Sequence, residues 1–227
     1  MSTQLDLQEQ EQLDALKAFW AQYGNLVTWT LVIVLAAYAG WNGWNYWQGK
    51  QALQASAMYD ALDQAAQAGD ADKAARVFSD LKQRFPRTTF AEQGALAAAK
   101  VAFDKGKVDA AKAALTWAAD NAGEDEYRTI ARLRLAAVLA GGKQYDEALK
   151  QLDAAKSPTF AALVADRRGD VLAAAGRSND AKVAYAAAYK AMDPAQEYRR
   201  LIEAKLMALG AAPAALAASA AASGAAQ

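Results

Sequence analysis

Residues 169–188 read GDVLAAAGRSNDAKVAYAAA, and how this stretch folds decides the architecture of most of the chain. Gly176 divides two runs of strong helix formers, which makes the segment a helix, a tight turn and a second helix. Gly169 lies in mid-helix, where glycine is a poor helix former; a small residue there lets another helix cross close by. After the turn come Ala181, Tyr185 and Ala188, spaced to share one face of the second helix. Outward from here the pattern stays helical from Lys50 to Gly210, with no strand-like alternation. Breakers at Gly69-Asp70, Pro86, Gly106, Gly123, Gly141-Gly142, Ser157-Pro158 and Pro194 leave helical segments of roughly 12–18 residues.

The breakers also keep step. Gly69 with Ala74, Gly106 with Ala111, Gly142 with Ala148 and Gly176 with Ala181 each open a second helix, and the alanines recur at steps of 37, 37 and 33. This spacing belongs to tetratricopeptide-like repeats, whose period is about 34. Such a repeat needs a small residue where its two helices cross and a large apolar one a turn later. Ala74 and Phe78, closed by Pro86, fill those places in the first unit; Ala111 and Leu115, with Trp117 nearby, fill them in the second. Tyr145, Ala148 and Leu152 serve the third. One helix pair cannot bury its apolar face alone, so the units stack into one solenoid. Residues 196–209 (QEYRRLIEAKLMAL) carry a charged face suited to a cap.

The N-terminal fifty residues are a different material. No charged side chain occurs between Lys17 and Lys50, and residues 26–41 (LVTWTLVIVLAAYAGW) are apolar on every face. From Leu26 to Trp47 a helix rises about 33 Å, close to the roughly 30 Å hydrocarbon core of a bilayer. Trp20, Tyr23, Trp29, Tyr38, Trp41, Trp44 and Trp47 supply the amphipathic rings of a membrane-anchoring belt. Ala37-Tyr38-Ala39 before Gly40 has the form of a signal-cleavage site. A long leader with Asp6, Glu9, Glu11 and Asp14 argues against cleavage, which would also leave WNGWNYW exposed to water. Lys17 and Lys50 on the two flanks leave the orientation tied. The predicted fold is therefore all-α: an acidic N-terminal segment (1–23), a single transmembrane helix (24–48) and a tetratricopeptide-repeat-like helical solenoid (49–210). Residues 211–227, Ala-rich and uncharged, are expected to be a disordered tail.

The chemistry available is narrow. The 227 residues hold 25 Lys and Arg against 25 Asp and Glu, with no Cys and no His. That excludes thiolate nucleophiles, zinc–thiolate sites, Ser-His or Cys-His pairs and imidazole metal ligands. No phosphate-binding glycine loop occurs, and the balance of charge offers no footprint for nucleic acid. Arg168-Gly169-Asp170 resembles an adhesion tripeptide, but the crossing of helices accounts for its glycine. No catalytic residue, cofactor or metal ligand is predicted. What remains is a surface: first helices of stacked pairs line a concave face that binds partner segments. In register, Leu96, Lys100 and Phe103 of the second unit, Leu133 of the third, and Asp166 and Asp170 of the fourth are the candidate partner groove.

Several blocks together resemble a known family. ALKAFWAQYGN in the leader, GWNGWNYW closing the span, RLRLAAVLAGGKQYDEALKQLD and ALVADRRGDVLAAAG are similar to the YfgM-type family, ancillary subunits of the SecYEG translocon. The resemblance spans about residues 13–209 and implies a bacterial inner-membrane, single-pass protein. Its N-terminus would be cytoplasmic and its tetratricopeptide-like domain periplasmic. It implies a non-enzymatic scaffold that associates with SecYEG and a PpiD-type membrane-anchored chaperone and assists nascent secreted proteins. The alternative is a cleaved, soluble periplasmic repeat protein acting in envelope assembly or stress signalling.

Overall fold

The computed structural model describes residues 7–211, all of whose regular structure is helical. Most of the Ala-rich tail, and the first six residues of the acidic leader, lie outside the described residues. The chain divides into two compact units at Gln51 and Ala52. The first consists of the opening part of helix α1 (Leu7–Gln67), which continues without a break past the expected boundaries at 23 and 48. Its uncharged stretch buries almost nothing: Leu26, Ile33, Tyr38 and Trp41 are all exposed.

The second unit pairs the end of α1 with α2 (Ala71–Arg84), then α3 (Thr89–Asp104) with α4 (Val108–Asn121) and α5 (Asp125–Gly141) with α6 (Tyr145–Ala154). A 3-10 turn, Pro158–Phe160, leads into α7 (Ala161–Ala174), which pairs with α8 (Ser178–Ala191); α9 (Tyr198–Ala208) closes the array. The sequence alanines stand at the helix crossings. Ala74, Ala111, Ala148 and Ala181 are each fully buried, and Phe78, Leu115, Leu152 and Tyr185, one turn on, are buried with them. A Cβ on Gly169 would overlap the Tyr185 ring, which is the packing reason for that glycine.

Local sequence sets the helix ends. The Asp70 carboxylate accepts from the Lys73 N–H at 2.9 Å, and the Thr88 hydroxyl oxygen accepts from the Ala91 N–H at 3.3 Å, each capping a helix N-terminus. Turns within pairs place Gly69, Gly106 and Gly176 at φ of 68°, 72° and 77°, the left-handed region open to glycine. In the third pair the left-handed residue is Lys143, at φ 61°, and not the neighbouring Gly142. Counting from Lys143 restores a step of 37 from Gly106, so the turn keeps the repeat's phase while the glycine has slipped by one position.

The shorter last step also has a location. Buried Glu92, Thr129 and Asp166 stand 37 residues apart on α3, α5 and α7. Ala99 and Ala136 follow the first two by seven residues, whereas Gly169 follows Asp166 by three. Both spacings return to one helix face, so α7 has lost a turn of helix without changing what it buries.

Candidate functional site

In the first unit the candidate feature is the exposed face of α1, which contains a window apolar and long enough to cross a membrane. All seven belt aromatics are exposed. Trp20 and Trp41 are 21 residues apart, about 32 Å along a helix, so Trp20 with Tyr23 and Trp41 with Trp44 and Trp47 match the two boundaries of a bilayer core. Trp29 is placed differently. It lies about 14 Å from the level of Trp20 and about 18 Å from that of Trp41, at the depth of hydrocarbon and not in either belt. Phe19 packs on Tyr23 with ring centroids 5.2 Å apart, and Trp44 on Trp47 at 5.5 Å. Thr28 and Thr30 donate their hydroxyls to the carbonyls of Gly24 and Leu26, at 2.7 and 2.8 Å, so neither offers an unsatisfied polar group to lipid.

In the second unit the residues expected to form one groove are divided among three environments. Lys100 and Phe103 on α3 are exposed, Lys100 paired with Asp104 at 2.5 Å. Leu96 is buried in the core, and Leu133 on α5 packs half-buried against it. Asp166, only 2% exposed, and Asp170 are brought together, but by the closing helix. The physical reason is that each first helix has two neighbours to cover, its own second helix and the next first helix, which leaves a narrow open strip. A register set by the crossing alone does not say which residues fall on that strip.

Around Asp166 the packing is polar and complete. Lys205 of α9 donates to both Asp166 oxygens at 2.9 Å and to Asp170 at 2.7 Å. The Tyr198 hydroxyl donates to Asp166, and that of Tyr185 to Asp170, each at 2.8 Å. Burial pulls the Lys205 ammonium down, but hydrogen bonds and attraction from the two aspartates outweigh it and hold its pKa above the usual lysine value. Burial, and then the aspartate each one bonds, push the Tyr185 and Tyr198 phenols up. The cluster therefore stays a cation between two carboxylates with neutral tyrosines at neutral pH.

The same position is used in each earlier unit. Glu92 on α3 accepts from the Gly123 N–H at 2.6 Å, just ahead of α5. Thr129 on α5 accepts from the Ser157 N–H at 3.3 Å, ahead of α7. Asp166 accepts from Tyr198, the first residue of α9. Each first helix thus carries one buried polar residue that ties down the start of the next unit. The second Glu92 oxygen is buried without a partner. Desolvation raises the Glu92 pKa, with Glu124 adding to the rise and the Gly123 bond and Arg128 opposing it. A second 37-residue step in the sequence marks these ties, yet residue chemistry singles out Asp166 alone and places it on the open face. Among the described residues no cluster of three His, Cys, Asp or Glu has the form of a metal site. The arrangement offers contact surfaces, an apolar helix and stacked helix faces, and no group poised for chemistry.

Comparison with known proteins agrees. The family model described as "Tetratricopeptide repeat-like domain" matches residues 17–211. A relative from Neisseria gonorrhoeae (strain ATCC 700825 / FA 1090), named "Ancillary SecYEG translocon subunit", is 31% identical over 201 residues, covering 88% of this chain and 96% of its own. A relative of the same name from Escherichia coli (strain K12) is 31% identical over 185 residues, 80% of this chain and 87% of its own. Another, from Haemophilus influenzae (strain ATCC 51907 / DSM 11121 / KW20 / Rd), is 30% identical over 176 residues, 78% and 86% of the two chains.

Proposed function

Because the chain belongs to the family of the ancillary SecYEG translocon subunits, with their tetratricopeptide repeat-like domain, we propose that it is a membrane-anchored scaffold of the protein-export channel. The observation that carries this reading is the exposed, uncharged stretch of α1 that runs on, as one helix, into the first pair of the repeat array. An anchor of that kind fixes location, and stacked repeats supply a surface for partners.

In the proposed arrangement the leader is cytoplasmic, α1 crosses the inner membrane once, and the repeats lie in the periplasm. There they recruit a PpiD-type chaperone and assist nascent secreted proteins. The open strip for such partners includes Lys100 and Phe103 on α3, Ile130 and Arg134 on α5, and Arg167 on α7, all exposed or half-buried. Its mixture of rings, aliphatic groups and cations suits an extended or helical segment with apolar and acidic side chains. The role is non-enzymatic.

Pull-down from membranes in mild detergent tests the reading. The full chain is expected to recover translocon components, and a chain whose residues 18–49 are replaced by an unrelated apolar span is expected to recover fewer. Equal absence of translocon components from both would overturn the scaffold role. A reporter fused after Gln227 that is active only in the cytoplasm would overturn the orientation.

A further inference from the structure

Within the repeat unit the chain begins at Ala52 and climbs α1 to Gln67; α2 then descends. At the top, the Asp70 N–H donates to the Ala65 carbonyl at 2.9 Å. Lower down, Leu62 and Leu81 both stand against Gly94, and the Tyr59 and Phe90 rings lie 5.9 Å apart. The loop of residues 85–88 therefore lies at or below the level of Tyr59, on the edge where the unit begins. Tyr59 is seven residues past Ala52, about 10 Å along a helix, so this loop lies within roughly that distance of the level of Ala52. In sequence, Gly49, which closes the uncharged stretch, is only three residues before Ala52.

That edge has the composition of a membrane-surface contact. Arg84 and Arg87 are exposed, and neither forms an ion pair among the described residues. The Arg84 guanidinium lies 5.4 Å over the Phe85 ring, and Lys82, a little higher, lies 5.5 Å over that of Phe78. No acid occurs from Lys50 to Tyr59 or from Leu81 to Ala91. Leu53, one residue into the unit, is 75% exposed. The next loop on this edge is of opposite sign, with Asp120, Glu124, Asp125 and Glu126. Cations beside an exposed apolar side chain, a few residues beyond an apolar span, are what an anionic headgroup layer attracts.

We infer that Leu53, Arg84 and Arg87 form a docking edge for anionic phospholipid headgroups, which steadies the repeat domain on the bilayer surface. The inference rests on the membrane-spanning reading of α1. Because the chain has no cysteine, a single nitroxide label on Gln83→Cys, an exposed position, reports on this edge alone. The full chain is reconstituted in nanodiscs of phosphatidylcholine, with or without about one-third phosphatidylglycerol. With phosphatidylglycerol the label is expected to lose accessibility to a water-soluble nickel chelate several-fold. The loss should disappear in phosphatidylcholine alone, at about 0.5 M salt, and in the variant that also carries Arg84→Glu and Arg87→Glu. A label on Lys143→Cys, at the opposite edge, should stay water-accessible throughout. Equal accessibility in the two bilayers, or protection that survives charge reversal, would overturn the docking edge. A chain that fails to co-elute with the nanodiscs would overturn the span itself and the docking edge with it.

Discussion

Gly40 and Gly43, on the uncharged stretch of α1, have open space where a side chain would stand, whereas Gly169 on α7 lies under the Tyr185 ring. Five of the six tryptophans are on α1 and exposed; Trp117, in the repeats, meets Phe78 edge-on at 5.4 Å. The same residue types thus serve opposite ends. In the repeats, small residues bring helices together and rings fill the gaps, so every substitution is judged by protein neighbours. On α1 the judge is the surrounding solvent, which for an apolar helix with aromatic ends is lipid.

The comparison can be broken most directly with charge. Val34 on α1 and Val183 on α8 are both exposed, at 59% and 72%. Val34→Asp is expected to cost about 3 kcal/mol of membrane insertion, measured as the fraction of chain that resists carbonate extraction. Val183→Asp is expected to change stability by less than about 0.5 kcal/mol. If Val34→Asp proved as harmless as Val183→Asp, α1 would not face lipid.

Glycine gives the next largest contrast. Gly169→Ala should destabilise the repeats by about 1–3 kcal/mol through overpacking against Tyr185, read from the urea midpoint of the helical signal. Gly40→Ala should leave that midpoint unmoved. A smaller effect of opposite sign is expected at Lys143, which holds a left-handed conformation that costs a side chain energy. Lys143→Gly should raise stability by about 0.5–1 kcal/mol, and no gain in midpoint would mean that the turn is not strained.

The smallest response expected is to pH, since opposing influences act on one carboxyl. The folded-state pKa of Glu92 lies above its unfolded value because burial disfavours the charged form. The resulting penalty is absent below the unfolded pKa and grows as pH rises through the folded one. Stability of Glu92→Gln relative to the parent should therefore improve between about pH 4.5 and pH 7. A constant difference across that range would show that Glu92 titrates as in the unfolded chain.

Most of the repeat architecture is legible in the sequence because it depends on a few residues whose chemistry admits one use. Ala74, Ala111, Ala148 and Ala181 stand where two helices cross, and no larger residue fits there. The third turn falls one residue later than its glycine suggests, because Gly142 invites the left-handed assignment that Lys143 takes. The groove is the least legible part. Leu96 and Leu133 look alike in sequence to residues that line a surface, and only the second neighbour of each first helix decides that they are covered. Asp166 misleads for the same reason: a carboxylate reads as exposed until its partners, Lys205 and Tyr198 more than thirty residues away, are in place. Trp29 shares its chemistry with the belt residues and differs only in depth.

The missing turn of α7 says how such an array can change in length. Removing four residues rotates the rest of the helix by about 40° relative to its former face, because a turn takes 3.6 residues, and Gly169 still meets Tyr185. Removing two from the same place would rotate it by about 200°, turning the polar Asp170 side of α7 inward and Gly169 out to water. Insertions and deletions within these first helices are therefore quantised, passing in steps of three or four and failing in between. A library of one- to four-residue deletions just after Thr129 should recover folded protein in that pattern.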